Sequence, residues 1–181
     1  MHRSFVLVAL GALTLAACGK AQDTAVDTAP TPAPAAPVTT STATSSEALP
    51  AEVRAVVLAS RPTMTITDAT LKEREGRRYY DVEGTLPGGE EIELDLLQEA
   101  DGWKVVEIQR DLPWVDVPLS VKTVADGARK GFVPVRVIES VQAEGGETIY
   151  ELFAEGQPAT PALEVMVKDG KAEVLKEVWP H

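Results

Sequence analysis

The chain has 181 residues, 44% hydrophobic, 25% charged and 5% aromatic, the make-up of a globular protein rather than a collagen-like or polytopic membrane one. Seventeen Lys and Arg against 28 Asp and Glu leave a net charge of −11, the wrong sign for gripping a phosphate backbone. With an N-terminal signal and a tether set aside, about 133 residues from Leu49 to His181 remain to fold, enough for one domain or two very small ones and too few for a large cofactor-binding architecture.

Met1-His2-Arg3 is a short positive start, and Phe5 to Ala17 is an apolar run with the length of a signal-peptide core, too short to span a bilayer. Residues 1–17 are therefore expected to be a cleaved signal. Leu15-Ala16-Ala17-Cys18 resembles the bacterial lipobox, an aliphatic residue and two small ones before the cysteine that receives the lipid. Cys18 is the only cysteine, so no intramolecular disulfide can form and lipidation accounts for the odd count. A diacylglycerol on that thiol plus an N-acyl chain exceeds the two hydrophobic chains that stable anchoring needs. In lipoproteins an Asp after the cysteine favours inner-membrane retention. Here Gly19 and Lys20 follow, so the resemblance implies the outer membrane of a bacterial envelope, facing the periplasm. Removing Arg3 and no acid takes the mature charge from −11 to −12.

Residues 18–48 read as the lipidated cysteine and a disordered linker. Gly19 to Ala48 holds eight Ala, seven Thr, four Pro and three Ser, with no aromatic residue, and cannot bury enough apolar surface to offset its chain entropy.

The rest reads as α+β, two tandem repeats at 49–116 and 117–181. Leu49-Pro50 and Val117-Pro118 each put an apolar residue before a helix-initiating proline. Val53, Val56 and Val57 then match Val121, Val124 and Ala125 at an offset of 68, the stripe of a short helix with one buried face. Pro62 stops the first helix and Gly131 the second. Asp101-Gly102 and Asp169-Gly170 also lie 68 apart and read as tight hairpin turns. Alternating segments between turn signals at Glu75-Gly76, Pro87 to Gly89, Gly145-Gly146 and Pro158 to Pro161 predict that each helix packs on an antiparallel meander of about four strands.

A short helix, the pattern Tyr80-Asp81-Val82-Glu83, the alternation Glu91-Ile92-Glu93-Leu94-Asp95-Leu96 and a closing Asp101-Gly102 turn resemble a PepSY-type module. Tyr150-Glu151-Leu152 and Asp169-Gly170 resemble a second copy, and the tandem is similar to the β-lactamase-inhibitor-protein architecture. The resemblance implies an exported or membrane-associated module that binds or inhibits other proteins, peptidases especially, and brings no catalytic residues with it.

Histidine occurs only at positions 2 and 181, so neither a Ser-His nor a Cys-His pair can be assembled in the folded part. No zinc-ligand set or phosphate-cradling loop is recognisable. An enzyme is not expected, and neither is a cofactor or a metal. If Tyr80, Val82, Ile92, Leu94 and Leu96 pack on the first helix, Tyr79, Asp81, Glu83, Glu91 and Glu93 point outward. In the second half the same parity turns Ile149, Phe153 and Met166 outward. That acidic surface is either a solvated sheet face or a recognition face for a basic partner or calcium, although no EF-hand spacing is present. The exposed apolar residues suggest contact with the other repeat or with a partner. Trp103, Trp114 and Trp179 serve either as bolts for small cores or as ligand stackers.

The expected partner-binding residues are Tyr79, Asp81, Glu83, Glu91, Glu93, Trp103, Phe153 and Met166. The chain then reads as a lipid-anchored binding module for an envelope protein or peptide, with loops Leu86 to Gly89 and Glu155 to Pro161 as candidates to block a peptidase cleft. The alternative is a structural accessory lipoprotein of outer-membrane assembly or envelope maintenance.

Overall fold

A computed structural model describes residues 39–157 and 159–176. The signal segment, Cys18, Trp179 and His181 lie outside them. In chain order the elements are β1 (Thr39–Ser45), α1 (Ala51–Ser60), β2 (Thr65–Arg74), β3 (Arg77–Thr85), β4 (Glu91–Glu99), β5 (Gly102–Asp111), α2 (Leu119–Ala128), β6 (Arg136–Gln142), β7 (Thr148–Phe153), β8 (Leu163–Lys168) and β9 (Lys171–Val174).

The helices form where expected. Pro50 and Pro118 stand at the N-caps, their carbonyls accepting the first helical bonds from Arg54 and Lys122 at 3.0 and 3.1 Å. Each helix runs ten residues and buries one stripe: Val53 and Val57 in α1, Val121 and Ala125 in α2. At 68 positions from α1, α2 repeats its burial pattern over the first nine residues, the two differing only at half-buried Ser60 and exposed Ala128. No helix among the described residues is long and apolar enough to cross a membrane.

The strands form one antiparallel sheet of nine in strict chain order, each paired with its sequence neighbour. This corrects the expectation of two separate four-stranded meanders. β5 pairs directly with β6 from Glu107↔Gln142 to Asp111↔Ile138, so the ladder runs unbroken between the two helix-bearing halves. Turn chemistry sets the register of two hairpins. Glu75 and Gly76 both have positive φ, 54° and 75°, as do Asp169 and Gly170, 50° and 74°, the backbone that two-residue hairpin loops require.

The ninth strand is β1, and it corrects the second expectation. Thr39–Ser45 falls in the stretch read as disordered linker, yet it lies along β2 over seven residue pairs from Thr39↔Arg74 to Ser45↔Asp68. Composition reflects only what the segment can bury by itself. An edge strand draws its backbone hydrogen bonds from its neighbour, and four β-branched threonines suit that position.

Directly paired residues share a face, so the register fixes what each side carries. Both helices cover one face. Val53 and Val57 pack with Tyr80, Val82, Leu94 and Leu96 in one hydrophobic cluster. Val121 and Ala125 pack with Val137, Tyr150, Leu152 and Val165 in another. Each fully buried Leu or Val contributes roughly 1.5–3 kcal/mol through removal from water.

Candidate functional site

The opposite face carries no helix among the described residues, and the register arranges acids across it in rows. Asp81 pairs with Asp95, and Asp95 with Glu107. In the next row Glu83 pairs with Glu93, followed by Gln109, Ser140, Ile149 and Met166. A third row runs from Asp111 through Ile138 and Glu151 to Glu164. Asp81, Asp95, Glu107, Glu151 and Glu164 are all buried, at 3–8% exposure. A cleft of about 470 Å³ opens among the ends of β2 to β6, with Asp68, Glu83, Glu91, Glu93 and Asp111 in its lining. Its two arginines are engaged: Arg136 with Asp111 at 2.8 Å, and Arg110 with Glu90 at 2.8 Å and Glu139 at 2.6 Å.

Buried charge must be paired or neutralised. Lys72 makes a salt bridge to Asp81. Ser140 donates its hydroxyl to Glu107, and Gln142 donates to Ser140 at 2.9 Å. Gln109 Nε2 donates to Asp95 Oδ2 at 3.3 Å, whereas Asp95 Oδ1 is buried with no hydrogen-bond partner. Burial, with repulsion from Asp81, Glu93 and Glu107, pushes the Asp95 carboxyl up to about 9. Burial and the Asp81 charge likewise raise Glu93, and burial raises Asp81 despite its bond to Lys72. Burial alone would lower the Lys72 ammonium, but its bond to Asp81 and the surrounding carboxylates raise it. One carboxylate oxygen each from Asp81, Glu93 and Asp95 lie within 4.8 Å of one another. An all-oxygen group of this kind suits a hard cation.

The residues expected to form the site divide. Tyr79, Asp81, Glu83, Glu91 and Glu93 do lie on the helix-free side, although Asp81 is buried rather than outward-facing. The Arg74 and Arg77 guanidiniums both stack on the Tyr79 ring, 5.6 and 5.5 Å from its centroid. Trp103 is on the other side. It pairs with Gln98, two positions along from Leu96, and packs its ring 5.1 Å from that of Tyr80 in the α1 cluster, so it belongs to the core rather than to a binding face. Phe153 is on the helix-free side but buried, with Arg136 over its ring at 5.6 Å. Met166 is half-buried and Ile149 fully buried, which corrects the expected exposed apolar cluster.

Asp95 was legible in the Glu91-Glu93-Asp95 alternation. Glu107 was not, because a bulge between Asp95 and Leu96 pairs them with Glu107 and Val105 respectively. The extra residue on β5 reverses the parity of everything after it, carrying Glu107 to the face opposite Trp103 and Val105. Glu151 and Glu164 are placed by the pairing of β7 with β8, and no single-strand count reveals that pairing. No protein family, no curated protein and no solved structure matches the chain.

Proposed function

We propose that the protein is a lipid-anchored periplasmic binding module, built from two PepSY-like helix-on-sheet repeats, that recognises a Lys- or Arg-bearing segment of an envelope protein or peptide on its helix-free sheet face. The observation that carries this reading is the acid-lined cleft. It presents exposed Glu83, Glu91 and Asp68, while both of its arginines are occupied by carboxylates of the same chain. A basic segment meets complementary charge there, and one that is itself acidic is repelled. The repeat reading is supported by the 68-residue spacing of α1 and α2, each with its own hydrophobic cluster. The anchor reading rests on Leu15 to Cys18. Binding that blocks a peptidase cleft would be one form of this activity.

The test places a photo-crosslinking residue at Glu83, and separately at exposed Glu52 on α1, in the full chain expressed in a bacterial envelope. The expected result is a product from position 83, absent from position 52, whose crosslinked segment is rich in Lys or Arg and whose yield falls at least tenfold with Glu91→Lys. Equal products from both positions, or insensitivity to Glu91→Lys, would overturn the reading.

A further inference from the structure

We propose that Asp81, Glu93 and Asp95 form a binding site for a single hard divalent cation, with calcium as the ion that fits. Three observations meet at this point. The first is geometric: one oxygen from each carboxylate lies within 4.8 Å of the other two. Two oxygens on the same calcium ion stand at most about 5 Å apart, twice the usual 2.3–2.6 Å bond, so the three carboxylates can share one ion without rearranging the strands. Magnesium, with bonds of about 2.0–2.1 Å and a strict octahedron, draws its ligands closer and tolerates an irregular set less well.

The second observation is that one member of the group carries a buried oxygen to which no backbone or side-chain N–H or hydroxyl donates. Asp95 is 6% exposed, Gln109 reaches only its Oδ2, and Oδ1 has no partner. A buried carboxylate oxygen left without a donor bears an uncompensated desolvation penalty, which a cation offsets. The third is charge. With Asp95 holding its proton, the three carboxyl groups and Lys72 sum to −1; a divalent ion displaces that proton to solvent, and the ionised cluster of −2 comes to zero with the ion bound. Lys72 bonds Oδ2 of Asp81, and a carboxylate has a second oxygen to offer. Burial first, and then the charge of Asp81, raises both Asp95 and Glu93, and a bound cation offsets both effects. The site shares Glu93 with the acid-lined cleft but does not depend on the partner reading, because it is argued from the geometry and burial of its own three carboxylates.

With three protein carboxylates and solvent completing the shell, the affinity belongs to the weak class, on the order of 10⁻⁴ to 10⁻³ M. The full chain, purified in non-ionic detergent and stripped with EDTA, is titrated with CaCl₂ to 10 mM at constant ionic strength, using ⁴⁵Ca equilibrium dialysis and thermal melts. The expected result is one calcium per chain with Kd in that range, a rise in Tm, and at least tenfold weaker binding in both Asp95→Asn and Glu93→Gln. A circular-dichroism melt establishes that each variant folds, and Glu93, half-buried rather than buried, serves alone if Asp95→Asn does not. No binding by the wild type up to 10 mM, undiminished binding in the folded variants, or an equal response to magnesium would overturn the proposal.

Discussion

Asp95 makes the stability of this sheet fall as the solution becomes more alkaline, across a range where most proteins change little. Its carboxyl is raised from an ordinary 3.8 to about 9 by burial and by Asp81, Glu93 and Glu107. Between those values the folded chain holds a proton that the unfolded chain has released, so stability declines as pH rises through the interval. One retained proton corresponds to a slope of about 1.4 kcal/mol per pH unit, hence a ceiling of about 4 kcal/mol between pH 5 and pH 8. Asp81 and Glu93, also raised by burial, steepen the fall in the same direction, and the comparison with Asp95→Asn isolates the share of Asp95; the remaining shifted groups act outside this window. Asp126, Glu144 and Glu147 are lowered by Lys130, Lys104 and Lys168, so their contribution is lost only as pH falls below the carboxylate range. Lys72 is raised, and its contribution is lost only above pH 10. The measurement is urea denaturation at pH 5, 6, 7 and 8 in EDTA, followed by circular dichroism, on wild type and Asp95→Asn. The variant keeps the shape without the charge, so it should match the wild type near pH 5 and exceed it progressively towards pH 8. Parallel curves for the two proteins would refute the assignment of the slope to Asp95.

Four further outcomes are expected. Gly84→Ala drives a Cβ into the Thr65 carbonyl oxygen and to 2.6 Å from Met64 Cε, and should lower the urea midpoint by the equivalent of about 1–3 kcal/mol. Gly127→Ala, within α2 and facing open space, should raise it by about 1 kcal/mol. Leu94→Ala and Leu152→Ala each empty a fully buried site at a cost of about 2–5 kcal/mol; the two belong to different clusters, so the double variant should be additive within about 0.5 kcal/mol by denaturant titration. Cys18→Ser should abolish incorporation of labelled fatty acid in a bacterial host, read by autoradiography of the immunoprecipitated chain.

Elements set by local periodicity were legible. The Val53-Val56-Val57 and Val121-Val124-Ala125 stripes located both helices, and strict alternation in Tyr80 to Glu83 and Ile92 to Leu96 assigned each side chain to the correct face. Features set by partners elsewhere in the chain were not. β1 has no hydrophobic pattern of its own and owes its extended form to β2. The join of β5 to β6 is a choice of neighbour, invisible in either strand alone. The β5 bulge moved Glu107 across the sheet, and with it a third of the Asp81-Asp95-Glu107 row. Trp103 shows how easily a face is misassigned near a turn, where the pairing with Gln98 decides the side and composition does not.

The unbroken ladder through β5 and β6 has a metric consequence. Strands in a sheet are spaced about 4.8 Å apart, so the five steps from Asp81 on β3 to Glu164 on β8 span about 24 Å measured along the sheet, every neighbouring pair of strands being hydrogen-bonded. For the basic partner proposed above, acids on successive strands would act as a ruler, its positive groups falling at multiples of a fixed interval, and a homologous series of ligands differing only in charge spacing would be sorted by length.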